Sequence, residues 1–125
     1  MVNFGPQGTV PPEFNGRLFY MHNPTVTLMR TTTAESAELG RRVGAKLAAA
    51  TSPTVLVIPR GGVSALDTEG QPFWDEQADA SLFGALSAAI AGSSVEVIDD
   101  PANINDPSLA RRAADRLHAL ISRER

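Results

Sequence analysis

The chain has no cysteine among its 125 residues. That absence excludes disulfides, thiolate metal sites and cysteine nucleophiles, and leaves side-chain packing to stabilise the fold. It also lacks any long hydrophobic run. Its longest apolar stretch, Val55–Pro59, is far short of the roughly 20 residues that cross a bilayer, and residues 1–8 lack a basic-then-apolar leader pattern. The expectation from these features is no membrane partner and a cytoplasmic location. Neither sign of charge dominates, with 14 acidic and 11 basic side chains and a net charge of -3. The basic residues are scattered, with no stripe able to meet many phosphates, so nucleic acid is not an expected partner. His22 and His118 are the only histidines and stand far apart in sequence, without carboxylates at ligand spacing, so no metal site is expected.

Hydrophobic residues at 42% and charged residues at 20% suit one small globular domain. The ten glycines and nine prolines fall mostly between periodic segments and crowd into residues 5–16. Residues 1–16 therefore read as an irregular N-terminal arm with at most a short strand at its start, and residues 17–125 as a single α/β domain. Residues 18–21 form a short strand closed by His22-Asn23-Pro24, because proline pushes its predecessor out of the helical region. Residues 25–29 alternate polar and apolar, which fits a half-buried strand or an extended loop, and the loop is preferred.

Thr32 and Glu35 make a capping box for a helix over 33–50. Gly40 and Gly44, one turn apart, leave a flat strip expected to pack closely on a sheet. Residues 54–58 are a continuous apolar and β-branched run, as in a central strand covered on both faces. A second helix over 75–91, a strand over 95–98 and a third helix capped by Asp106-Pro107 complete the order. Strand and helix alternate from residue 18 onward, which predicts a Rossmann-like three-layer fold, a mostly parallel sheet with helices on its faces.

In such a sheet ligands meet the segments just beyond the carboxyl ends of the strands. Those segments are His22-Asn23, then Arg60-Gly61-Gly62, then Asp99-Asp100 with Asn103 and Asn105. Arg60-Gly61-Gly62 can turn backbone N–H groups toward one anion while the guanidinium supplies a planar fork for phosphate or carboxylate. The bland reading is a tight turn with Arg60 paired to an acidic neighbour such as Asp67. Ser64 lacks the second glycine of a nucleophile elbow and fits a hydrolase triad poorly. His22 suits either a general base or a turn cap, and His118 a helix boundary. Asp99-Asp100 suits magnesium, a ribose or an ordinary acidic turn. Phe73-Trp74 before a helix cap reads as a staple, with Trp74 also fitted to stack on a base or anchor a subunit contact.

The strings His22-Asn-Pro-Thr-Val-Thr-Leu-Met-Arg-Thr-Thr32, Arg60-Gly-Gly-Val-Ser-Ala-Leu-Asp67, Gly70-Gln-Pro-Phe-Trp-Asp75 and Ile104-Asn-Asp-Pro107, in that order, cover nearly the whole chain. Together they resemble the uncharacterised family that includes the tomato mosaic virus resistance protein, described as ATP-binding. The resemblance implies Rossmann-like architecture, self-association and, for the plant member, nucleotide binding, with ATP as the cofactor to consider. It adds Arg30 and Asp106 to Arg60, Gly61, Gly62, Ser64, Asp67, His22, Asn23 and Asn105 as ligand-binding candidates. The family often has His where this chain has Asn103. The match corresponds to the last part of a two-domain length, so the expectation is a C-terminal subdomain of a nucleotide- or anion-binding protein, as a fragment or a split gene, with a separate chain able to supply the N-terminal domain. A homodimer is the expected assembly, with the apolar residues of the arm docking on a neighbour or on its own sheet edge. The competing function is an enzyme acting on a small phosphorylated or carboxylated substrate, with Arg60 as clamp, His22 as acid/base and Asp67 as orienter. The third reading is a structural oligomerisation domain.

Overall fold

A computed structural model describes residues 1–123. Five strands and three helices follow one another as β1 (Val2–Phe4), β2 (Phe19–Asn23), β3 (Val26–Met29), α1 (Thr33–Ala48), β4 (Val55–Pro59), α2 (Glu76–Ala89), β5 (Glu96–Asp100) and α3 (Pro107–Arg123). The class is mixed α/β, but the expected mostly parallel sheet is not formed. The strands divide into a three-stranded antiparallel sheet in the order β1-β3-β2 and a two-stranded parallel sheet, β4-β5.

Of residues 25–29, expected as a loop, Val26–Met29 form the whole central strand of the antiparallel sheet. Met29 faces Val2 on one side and Phe19 on the other. Thr27 and Met29 are buried while Val26 and Leu28 are half-buried, so the period-two burial of a strand is present but places a polar residue, Thr27, on the inner face. The strand was hard to read because one of its partners comes from the proline- and glycine-rich arm. That arm docks on its own chain: Phe4 packs against Phe14 with tilted rings at 5.3 Å and meets Phe19 edge-on at 6.5 Å.

The capping box at α1 is present, with Glu35 N–H donating to Thr32 Oγ1 and Thr32 N–H donating to Glu35 Oε2. Gly40 and Gly44 do mark a close approach, but to α2 rather than to a sheet. A Cβ at Gly40 would lie 2.6 Å from the Leu82 carbonyl oxygen, and one at Gly44 would lie 2.5 Å from the Ala89 Cβ. Alternation of elements along the chain does not reveal that α1 stacks on α2 instead of on strands.

In the parallel sheet Leu56 and Ile58 project toward α2, where Ile58 packs with Phe83 and Leu86. Val55 and Val57 project the other way and share a groove with Ala113, Leu117 and Leu120 of α3. The 54–58 run was expected to be central and covered on both faces. It pairs on one side only, and Val55 and Val57 stay half-buried.

Candidate functional site

The carboxyl ends of β4 and β5 do converge. Arg60 leaves β4 and clamps Asp99 of β5 through two hydrogen bonds, Nε to Oδ1 at 2.8 Å and Nη2 to Oδ2 at 2.6 Å. The partner is therefore Asp99, not Asp67 as the sequence suggested. Parallel register explains it: Ile58 stands opposite Asp99, so the residue that follows Pro59 reaches the same rim. The charged hydrogen bonds hold the Asp99 carboxyl below its ordinary range and raise the Arg60 guanidinium. The guanidinium also lies 5.2 Å from the Phe83 ring centroid, at cation–π distance. Arg60 and Phe83, with Trp74, Glu76, Asp79 and Ala80, line a shallow cleft of about 140 Å³. Trp74 is 41% exposed beside it, whereas its neighbour Phe73 is fully buried and meets Tyr20 edge-on.

The backbone of the Gly61-Gly62 turn is committed elsewhere. The N–H groups of Arg60, Gly61 and Gly62 donate to the carbonyls of Asp100, Ala102 and Pro59 at 2.7, 3.1 and 3.1 Å, and Ile104 N–H donates to Gly62 O at 2.9 Å. The turn zips onto the loop after β5, and its amides do not point together at an open anion position. Any anion held here would meet the Arg60 guanidinium.

Asp67 belongs to a buried cluster that shares Asp79 with the lining of the cleft. Arg30, at the end of β3, donates from Nη2 to Asp67 Oδ1 at 3.1 Å and to Asp79 Oδ1 at 2.6 Å, and all three side chains are at most 8% exposed. One cation thus holds two carboxylates in the interior, tying the antiparallel sheet to the Ser64–Asp67 bridge and to α2. Among the described residues Arg30 Nε and Asp67 Oδ2 have no hydrogen-bond partner. Burial, opposed by Arg30 and reinforced by Asp79, pushes the Asp67 carboxyl up to about 6. Arg30 was a candidate only through the family resemblance, and Asp79 was not a candidate. Yet Asp79 falls on the apolar stripe of α2 with Ala78, Phe83 and Leu86, and an acid on a buried stripe requires a buried cation.

The cluster gives stability an unusual pH dependence. The folded protein holds the Asp67 proton more tightly than the unfolded chain does, so it binds more protons between about pH 4 and pH 6. Stability should therefore fall as pH rises through that window and level off above it. Thermal unfolding should show a melting temperature higher near pH 5 than near pH 7.5, with Asp67→Asn flattening the difference. A wild-type melting temperature that climbs from about pH 5 to about pH 7.5 would contradict this assignment.

The remaining candidates lie apart from the Arg60 rim or serve local turns. His22 is exposed in the irregular pairing between Met21 and Asn23, and Asn23 Oδ1 accepts from Thr25 N–H at 2.9 Å across the hairpin turn. Ser64 Oγ accepts from Leu66 N–H. Asn105 N–H donates to Asn103 Oδ1, and Asp106 caps α3 by accepting from Ser108 N–H at 2.7 Å. Asp100 accepts from Ala102 N–H and pairs with Arg112, a structural duty. Arg60, His22 and Asp67 are thus not assembled as clamp, acid/base and orienter, because Asp67 is buried against Arg30. Among the described residues there is no cluster of metal-ligating side chains and no helix long and apolar enough to cross a membrane. His22→Ala should cost less than about 1 kcal/mol, as exposed substitutions usually do. A melting temperature lowered by more than about 8 °C would show that the imidazole is bonded.

The fold and the β4-β5 rim define a mixed α/β domain with an arginine–aromatic cleft at the carboxyl ends of a short parallel sheet. Residues 1–121 match the C-terminal domain model of the uncharacterised protein family UPF0261, and the chain belongs to that family. It is 51% identical over 114 residues to a UPF0261 protein of Rhizobium meliloti, covering 90% of this chain and 29% of that protein. A UPF0261 protein of Clostridium tetani is 46% identical, with 98% of this chain and 30% of the relative covered. The ToMV resistance protein Tm-1(GCR237) of Solanum lycopersicum is 37% identical, with 100% of this chain and 17% of the relative covered. The chain therefore spans less than a third of the length of these relatives.

Proposed function

We propose that this chain is the C-terminal subdomain of a two-domain protein that binds a nucleotide or another small anion, with Arg60 as the charge that meets the ligand. The observation that carries this reading is the Arg60 guanidinium itself. It is 43% exposed at the carboxyl ends of two parallel strands, over the Phe83 ring and beside Trp74, where an aromatic ring and an anionic group can be met together. Its partner Asp99 is equally open to water, so a phosphate or carboxylate can compete for the fork at modest cost. The remainder of the site comes from the part of a UPF0261 polypeptide that precedes this one, in the same chain or as a separate partner, with a second copy of this chain as the competing assembly.

Calorimetric titration of ATP and of small dicarboxylates into the protein and into Arg60→Ala tests the reading. Binding should weaken at least about tenfold in the variant, equivalent to about 1.4 kcal/mol. Identical heats from the two proteins would remove Arg60 from any binding role.

A further inference from the structure

The parallel sheet ends at β4 on one side, and that edge is open. Glu96 N–H donates to the Thr54 carbonyl at 3.0 Å and Arg60 N–H to the Asp100 carbonyl at 2.7 Å. In a parallel pair the two backbone groups of a residue face the same neighbour and successive residues alternate. The even-numbered residues of β4 therefore face β5, and the N–H and C=O groups of Val55 and Val57 face the opposite edge. Among the described residues no strand pairs there.

The two outer edges differ in chemistry. β5 reads Glu96-Val97-Ile98-Asp99-Asp100, and three carboxylates in five residues discourage a further strand. β4 reads Val-Leu-Val-Ile-Pro, with no charge, and only its last residue lacks a donor. Beside this edge, Val55 and Val57 share with α3 an apolar groove of about 310 Å³. On α3, Leu117 of this groove is 59% and the nearby Ile121 52% exposed. One face of the sheet over β4 is thus only half covered, although parallel strands are almost always covered on both faces.

We propose that the β4 edge receives a parallel β-strand from the region of a UPF0261 polypeptide that precedes this one, its crossover helix closing the groove beside α3. The inference rests on the two-part reading above and names the surface through which the parts join. Two observations select this occupant over a second copy. More than two thirds of the length of the bacterial relatives lies outside the matched region. A twofold axis would pair β4 with its own copy antiparallel, whereas an added parallel strand arrives with a crossover helix that packs on the sheet face.

Amide hydrogen exchange tests it. The Val57 amide should exchange freely in this protein, and the amide at the aligned position of the full-length Rhizobium meliloti relative should exchange at least about 100-fold more slowly. Equal rates in the two proteins would overturn the proposal. So would Val57 protection in this protein that rises with concentration, because that assigns the edge to a second copy. Nucleotide plays no part in the readout. Protection at the β4 edge with no ATP binding would therefore discard the ligand and keep the interface, and ATP binding with an unprotected edge would do the reverse.

Discussion

Gly62→Ala should prevent this protein from folding to its native state. Gly62 has φ +125°, a region that L side chains rarely adopt, and a Cβ there would lie 1.7 Å from the Asp67 carbonyl oxygen. The obstacle is backbone, so no rotamer change relieves it. The segment that would have to move carries Asp67, and moving it would also open the buried pair with Arg30. Strain and overlap together should cost at least about 4 kcal/mol, a large fraction of the stability of a small domain. Gly70→Ala separates the two effects. Gly70 also has positive φ, +81°, but nothing lies within 4 Å of its Cβ position, and its replacement should cost about 1 kcal/mol. Denaturant unfolding of both variants checks the pair. A Gly62→Ala protein as stable as Gly70→Ala would contradict the packing of the turn against Asp67.

Arg30→Ala should lower stability by about 3–5 kcal/mol, the usual result of removing one partner from a buried ion pair. The variant leaves Asp67 and Asp79 facing each other in the interior with no cation between them. Part of the loss should return in acid, where one carboxyl takes up a proton, so the variant should depend on pH more steeply than the wild type. Replacing all three members by apolar residues of similar volume should cost far less than Arg30→Ala alone, because no uncompensated charge remains. Urea midpoints for the single and triple variants decide the matter. A single variant within about 1 kcal/mol of wild type would show that the cluster carries little of the fold.

The helices were legible because their signals are local. Thr32 with Glu35, Asp75 before α2 and Asp106-Pro107 each satisfy free backbone N–H groups within one turn, and each marks an observed helix start. β4 was legible from its composition. The sheets were not, because their partners are distant in sequence: β3 is central only because residues 2–4 return to pair with it, and nothing in residues 25–29 records that. The same limit governed the site. The meeting of Arg60 with the acidic end of β5 followed from parallel topology, but its choice of Asp99 depended on register. The Arg30–Asp67–Asp79 cluster spans 49 residues of sequence, and only the acid on the apolar stripe of α2 hinted at it.

The proposed function requires this domain to be one part of a larger site-bearing assembly. Co-expression of the chain with the region of the Rhizobium meliloti relative that precedes its matched segment, followed by mass measurement of the purified material by light scattering, tests that most directly. The expected result is a one-to-one complex that persists on dilution. Separation of the two polypeptides, with this chain alone forming a dimer or remaining a monomer, would contradict it.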